Sequence, residues 1–324
     1  PAASAPAASA PSGAAPAAAA PVWIAGEPVS AAELWFWLRF ADRHQRAQAH
    51  PSAAPGPAAA ITPAEAARLS QTAVDLARQS SALRAQAAAQ GVALTPSDLA
   101  PLQQEWDRQR RLYGSVEYRR IVMRMYGAET VMQDLARTDL LGQRLFARLY
   151  GERGERCPDA AVADYIHQAG LQHLQYVRVA PGPGAAVQAR LQRLQDLARQ
   201  LRQADDPDAL MEQAIATLGE DEAMLQEPQG RVVGAGVLPA AVEAAYQALA
   251  DGQSSGVVHT PQGAYLLRRL PLHGEVIQGA TGKTLRYWAA YNGLFKPQVA
   301  AWAQALPVVE SPTWQTLDVA RLLR

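Results

Sequence analysis

The chain has 324 residues, of which 49% are hydrophobic, and this is enough to bury the cores of two domains. It carries 30 basic and 30 acidic residues, and that balance argues against a nucleic-acid-binding protein, which usually has a basic excess. Its single cysteine, Cys157, excludes an intrachain disulfide, and the six histidines show no metal-ligand spacing, so we expect neither a metal nor another cofactor.

Residues 1–21 consist only of alanine, proline, serine and glycine. Such a segment has almost nothing to bury, so we expect a disordered linker with some extended polyproline character. No apolar run approaches the roughly 18 residues that a membrane span needs. The first residue is Pro1, and we expect a membrane tether or targeting segment to lie upstream of it.

The folded part begins with a short strand at VWIAG, followed by a helix for which Ser30 is the predicted N-cap. From Thr62 to Gly170 the apolar residues recur at helical spacing. Thr62 and Thr95 are each followed by proline, which favours a helix start at both positions. Helices joined by such short connections predict an all-α module. Five glycines are the predicted helix ends: Gly91, Gly114, Gly127, Gly151 and Gly170.

The spacing of apolar residues changes at Leu171. In LQHLQYVRV, apolar and polar residues alternate as they do in a strand. An amphipathic helix, a short helix at DALMEQAIATLG, a strand at RVVGAG, a helix at PAAVEAAYQAL and a hairpin formed by GVVHT and AYLLRRL follow in order. The predicted order β-α-α-β-α-β-β describes a compact α+β domain. A further helical stretch, TLRYWAAYNGLFKPQVAAWAQAL, and a tail complete the chain.

This order of elements resembles the parvulin family of prolyl isomerases. LQYVRV, LGEDEA, GVLPAAV, GQSSGVV and GAYLLRRLPL stand in the order of the family's motifs. The flanks are similar to the SurA and PrsA foldases: VWIAGEPVSAAEL resembles their opening, and AAWAQALPVVESPTWQTLDVARLL resembles the strand and helix that return to their chaperone domain. Each motif is weak alone, and their order along one chain carries the resemblance.

The resemblance implies an α+β protein in which a helical SurA/PrsA-like chaperone domain carries an inserted parvulin-like domain. We expect the chaperone domain at 22–169, completed by 283–324. The inserted domain would span 170–272, with a connecting loop at 273–282. In that family the chaperone domain holds unfolded chains in apolar grooves, and the exposed aromatic residues that could serve here include Trp35, Trp37, Phe40, Trp288 and Trp302.

The resemblance also implies a catalytic site, in which both family histidines are replaced by tyrosine. The histidines fall on Tyr176 and Tyr265, and the family's Asp or Cys falls on Asp221. The Met and Phe of the proline pocket fall on Leu238 and Val242, so the pocket is still apolar but smaller. Arg178 alternates with Tyr176 on the same face of its strand and is expected to reach the cluster. Beside Asp221, we expect Glu220 and Glu222 to form a solvated turn.

Two interpretations of this site stay open. In one, the pocket is degenerate and the domain is a scaffold or client-binding surface. In the other, the tyrosine hydroxyls replace the imidazoles as hydrogen-bonding groups, and some isomerase activity survives. Isomerisation of an X–Pro bond needs only that the twisted amide be favoured over the planar one, so no proton transfer is required.

We therefore expect a folding factor that binds unfolded proteins and proline-containing peptides, and that has weak or doubtful isomerase activity. We expect it outside the cytoplasm, secreted or anchored to the outer face of the membrane. Two alternatives remain: a fully active isomerase, and a structural envelope protein that uses the same fold to dock a partner.

Overall fold

The structure is a computed structural model that describes residues 20–49, 61–279 and 281–323. All but the last two residues of the predicted linker at 1–21 lie outside the described residues. Within them the chain forms helices and two small antiparallel sheets, which confirms the predicted α+β class. No helix among the described residues is long and apolar enough to cross a membrane.

The N-terminal part forms a short β-hairpin and then five helices. Their bounds in chain order are β1 (Val22–Ile24), β2 (Glu27–Val29), α1 (Ala31–Ala49), α2 (Pro63–Ala89), α3 (Pro96–Tyr113), α4 (Ser115–Tyr126) and α5 (Glu129–Tyr150).

The middle part contains the predicted β-α-α-β-α-β-β order, preceded by a helix and with one extra short helix. Its elements are α6 (Asp159–Gln168), β3 (Gln172–Val179), α7 (Ala185–Gln200), α8 (Pro207–Leu218), α9 (Glu222–Gln226), β4 (Arg231–Val233), α10 (Ala240–Gln247), β5 (Val258–Thr260) and β6 (Gly263–Arg269).

The C-terminal part is helical except for one strand. It contains α11 (Leu285–Trp288), a π-helix (Ala289–Phe295), α12 (Lys296–Ala305), β7 (Val308–Glu310), α13 (Pro312–Gln315) and α14 (Val319–Leu322). The predicted continuous helix is thus interrupted by a π-helical turn, which the spacing of apolar residues did not indicate.

The predicted caps position the first helices. Thr62 forms a complete capping box: its Oγ1 accepts from the Glu65 amide at 3.3 Å, and the Glu65 carboxylate accepts from the Thr62 amide at 2.8 Å. Thr95 and Asp98 repeat this arrangement at the start of α3. All five glycines that were predicted to end helices have positive φ, a conformation that costs glycine little.

The described residues divide into two compact units, and the first is formed by two separate segments, one that ends at Leu145 and one that begins at Gln298. In it, β7 pairs antiparallel with β1, so that the sheet order is β2-β1-β7. Arg78 on α2 donates to the carbonyl oxygens of Gln304 and Leu306. These hydrogen bonds hold the segment directly before β7 against α2. A buried core made mainly by β1, α1 and α2 includes Ile24, Leu34, Leu38, Val74 and Trp314.

The second unit spans residues 146–297 and contains a four-stranded antiparallel sheet in the order β4-β3-β6-β5. Helices α7 to α10 pack against this sheet. The core between them includes Leu174, Leu194, Met211, Ile215, Met224 and Leu266.

The second unit also contains residues 146–169 and 283–297, which lie outside the predicted insertion at 170–272, and the domain bounds stay a prediction. Arg286 contributes to this grouping: its guanidinium donates to the Cys157 carbonyl at 2.9 Å and forms ion pairs with Asp159 at 2.7 Å and Glu275 at 2.8 Å. The autonomy of 170–272 as a folding domain stays a prediction.

Candidate functional site: a tyrosine cluster and an apolar groove

The two tyrosines predicted at the family's histidine positions lie on neighbouring strands of the second unit. In the β3–β6 register, Tyr176 is opposite Leu267 and Arg178 is opposite Tyr265. Residues opposite each other share a face, so these four side chains project from the same side of the sheet. The rings of Tyr176 and Tyr265 have centroids 5.9 Å apart and are tilted by 45°.

Asp221 reaches this face from the N-cap of α9. One carboxylate oxygen accepts from the Met224 amide at 3.1 Å, and the other lies 3.8 Å from the Arg178 guanidinium. Arg178 is further held by donation from its Nε to the Gln262 carbonyl at 3.2 Å. The structure therefore brings together Tyr176, Tyr265, Asp221 and Arg178; the roles assigned to them stay predictions.

Glu220, which was expected in a solvated turn, instead attaches the loop before α9 to the end of β3. Its amide donates to the Arg178 carbonyl at 3.2 Å. Its carboxylate accepts from the Ala180 amide and pairs with Arg190 on α7. These contacts fix the backbone directly before Asp221, so Glu220 positions the acid of the cluster. Among the described residues no group of three side chains that could hold a metal ion comes together here or elsewhere.

Burial and the neighbouring charges shift the pKa values of the two tyrosines in this cluster. Burial raises the pKa of Tyr176 well above its usual value, and the charge of Asp221 and hydrogen bonding to it raise that pKa further. The charge of Arg231, at the start of β4, and its hydrogen bond lower the pKa of Tyr176 and partly offset this rise. Burial also raises the pKa of Tyr265, and the guanidinium of Arg178 partly offsets that shift. Both hydroxyls therefore stay protonated near neutral pH, as neutral donors beside a carboxylate. Sequence reasoning missed Arg231, because no family motif marks it.

The two predicted pocket residues lie in different environments. Leu238 is half-buried and packs against the edge of the sheet core. Val242, on α10, is completely buried within that core. In this conformation Val242 contributes packing and offers no surface to a ligand, so a contact with a proline ring would need a movement of α10. Its role in substrate binding stays a prediction.

A second candidate site lies in the first unit, as a groove of about 530 Å³ between α1, α3, α4 and α5. Its floor is a small separate core made by Trp106, Tyr118, Val122 and Met132. Aromatic and methionine side chains dominate its lining, which includes Phe36, Tyr113, Tyr118, Met125, Tyr126 and Met132. Methionine is flexible and polarisable, which suits surfaces that accept varied partners.

Large apolar side chains are exposed on α3 and α4, and two of them, Tyr113 and Met125, also line this groove. Leu112 is 65% exposed and Val116 is 77% exposed, and both lie within two residues of the connecting Gly114. We call the following set the α3–α4 surface: Leu112, Tyr113, Val116, Met123 and Met125. These five belong to eleven large apolar residues that are exposed among the described residues.

The sequence did not predict this surface. Of the aromatic residues suggested for client contact, only Phe40 is exposed, whereas Trp35, Trp37, Trp288 and Trp302 are half-buried. The signal that could have found it is the sequence LYGSV, which places three large apolar residues around a predicted helix end.

Comparisons with known proteins return structural matches only: no family model matches the chain, and no curated protein does. It is similar to the foldase PrsA from Lactococcus lactis, at 12% identity, 94% coverage of this chain, 98% coverage of that chain and a TM-score of 0.32. PrsA from Bacillus subtilis matches at 14% identity, 75% and 88% coverage and a TM-score of 0.31.

A structure from a study of two SurA-like chaperones of Campylobacter jejuni matches at 13% identity, 64% and 81% coverage and a TM-score of 0.27. These are the classes of protein that the sequence motifs resemble.

Proposed function

We propose that the chain is an extracytoplasmic protein-folding factor that holds unfolded clients on the α3–α4 surface and in the adjacent groove. The observation that carries the proposal is the concentration of exposed apolar side chains on one pair of helices. Large apolar side chains that are exposed in one region of a protein often mark a binding site. The resemblance of the chain's motifs to the SurA and PrsA foldases supports the same function and the placement outside the cytoplasm.

The physical basis of holding is the burial of apolar area, which favours association by about 25 cal/mol per Å² removed from water. An open groove lined by aromatic and methionine side chains can bury apolar segments of many sequences without a fixed hydrogen-bond pattern. Such binding is reversible, because little of it depends on one specific contact. A client could therefore leave and fold.

For the second unit we propose weak or absent prolyl-isomerase activity. Val242 and the rings of Tyr176 and Tyr265 are buried, so little apolar surface is open to a proline ring. The tyrosine hydroxyls can donate hydrogen bonds but do not titrate near neutral pH. The unit would then act as a scaffold or as an additional client-binding surface.

Full isomerase activity is the second candidate, and one observation favours it. Asp221 and Arg178 lie beside the two tyrosines in a polar cluster, as a hydrogen-bonding site for a twisted amide requires. Glu220 fixes the loop that carries Asp221, which is an arrangement expected of a preorganised site.

Two assays on the full chain separate these candidates. One measures the suppression of aggregation of a chemically unfolded client that has no proline-limited folding step. The other measures the rate of a proline-limited refolding reaction. The proposal expects suppression at near-stoichiometric chain and little acceleration of refolding. Strong acceleration that Asp221→Ala abolishes would instead establish the active isomerase, and failure to suppress aggregation would refute the holding function.

A further inference from the structure

The α3–α4 surface carries a local positive charge in a chain whose formal net charge is zero. Six arginines and only three acidic residues stand between Glu105 and Tyr126. This excess lies on the two helices that expose the apolar residues of the surface. A partner that binds there would contact apolar side chains and arginines together.

All three acidic residues of this segment pair with an arginine of the same helix. Glu105 lies 2.7 Å from Arg108, and Asp107 lies 3.0 Å from Arg110. On α4, Glu117 lies 2.8 Å from Arg120 in the same manner. Each of the three acids is therefore already neutralised by an arginine of its own helix. The other three of the six arginines have no acidic partner in this segment.

Those three arginines, Arg111, Arg119 and Arg124, are exposed and form no ion pair within the described part of the chain. Arg119 stands three residues after Val116 and four before Met123, so all three share one side of α4. Arg111 directly precedes Leu112, and Arg124 stands between Met123 and Met125. Unpaired cations thus stand next to exposed apolar residues along both α3 and α4.

We infer that this surface selects client segments in which aromatic or aliphatic residues are interspersed with Asp or Glu. The inference rests on the proposed holding function and adds a charge preference to it. Carboxylates of such a segment would meet the unpaired guanidinium groups while its apolar side chains pack on the α3–α4 surface, of which Tyr113 and Met125 also line the groove. Lysine- or arginine-rich segments of equal hydrophobicity are repelled by the same groups, which discriminates between clients. The concave lining favours a peptide over a flat lipid surface.

The test measures binding of the full chain to three fluorescent peptides of one length by anisotropy. They share the same phenylalanine and leucine positions and differ only in spacer residues, which are Glu, Gln or Lys. We expect the Glu peptide to bind about tenfold more tightly than the Lys peptide at low salt, as three exposed charge pairs would give. Raising the salt concentration should shrink the difference.

The variant Arg111→Gln/Arg119→Gln/Arg124→Gln should bring the Glu and Lys peptides to within about twofold of each other. Its affinity for the Gln peptide should not change. The matched control is Arg148→Gln/Arg193→Gln/Arg202→Gln, which removes the same charge from exposed positions of the second unit. This control should keep the preference.

Equal binding of all three peptides by the wild-type chain would overturn the charge preference and leave the holding function intact. Binding of none of them, together with failure to suppress aggregation, would refute the holding function itself. Vesicles of phosphatidylcholine with about 30% phosphatidylglycerol form the last arm. Vesicle binding that requires the three arginines, without any preference among peptides, would assign the surface to anionic lipid and overturn the inference.

Discussion

The two units differ in whether the aromatic and apolar residues of their candidate sites are buried or exposed. In the second unit, Tyr176 and Tyr265 point from the sheet yet are almost wholly buried, and Val242 fills the core behind them. In the first unit, residues such as Leu112 and Val116 stand in solvent beside an open groove. The contrast is that the helical unit exposes apolar surface to solvent, whereas the tyrosine-bearing face of the sheet unit is closed.

The largest expected effect comes from removing exposed apolar side chains of the helical unit. The variant Leu112→Ser/Val116→Ser/Met123→Ser should lose at least about fivefold in aggregation suppression, because the contact area that drives holding is lost. Its melting temperature should hardly change, since exposed substitutions alter stability by about 0.5 kcal/mol or less. Light scattering of an unfolded client and a thermal melt measure the two quantities.

The control for this experiment places three apolar-to-serine substitutions on the sheet unit. Leu225→Ser/Val237→Ser/Ile277→Ser changes three exposed apolar residues that lie on separate loops and a short helix. Aggregation suppression should stay as in the wild type. A control that loses as much suppression as the α3–α4 variant would break the comparison between the units.

The second prediction sharpens the comparison at the tyrosine cluster. Restoring Tyr176→His, Tyr265→His and Leu238→Met should accelerate a proline-limited refolding reaction several-fold over the wild type, because these groups act as a unit. Single changes should do little. The refolding rate at equal concentrations of chain is the measurement, and acceleration by the wild type equal to that of the variant would contradict the account.

Adding Val242→Phe to that variant should cost about 1–3 kcal/mol of stability, because Val242 is completely buried and a larger ring overpacks the core. Urea unfolding of the threefold and fourfold variants measures this difference. Equal midpoints would show that α10 yields easily and that a proline pocket can open there.

The third prediction uses alkaline pH. The folded state raises the pKa of Tyr176, so the fold favours the protonated hydroxyl. Its contribution to stability is complete below pH 10, the ordinary tyrosine value, and is lost as pH rises through the folded-state pKa. In Tyr176→Phe the fall of unfolding free energy above pH 10 should be shallower than in the wild type.

The smallest expected effect concerns the cap of α3. Hydrogen bonds from the Thr95 amide and hydroxyl, and then from Arg144, lower the pKa of Asp98 from 3.8 to about 2. The carboxylate's contribution is therefore present above about pH 4 and is lost as pH falls toward about 2. Asp98→Asn should unfold with a shallower acid dependence in that window.

The sequence predicted the local structure well where short-range chemistry decides it. Thr62 and Thr95 each combine a capping side chain with a following proline, and both start helices as expected. The alternation at 171–179 and the two segments of the hairpin became strands of one sheet. The tyrosine cluster followed from family motifs, and the register of β3 and β6 brings its members together.

What the sequence could not predict depends on distant packing. The sequence shows only that Val242 is an apolar residue in a predicted helix. It is buried because α10 packs against the sheet. Glu220 looks like a solvated acid because its partners Ala180 and Arg190 lie 40 and 30 residues away in the chain. Exposure of the α3–α4 surface likewise depends on which helices cover each other.

Amide hydrogen exchange of the full chain, with and without a permanently unfolded, reduced and carboxymethylated client, tests the central claim most directly. The account predicts new protection in α3 and α4, around residues 102–126, and little change in β3 and β6. Protection confined to β3, β6 and the loop that carries Asp221, with none in α3 or α4, would contradict it.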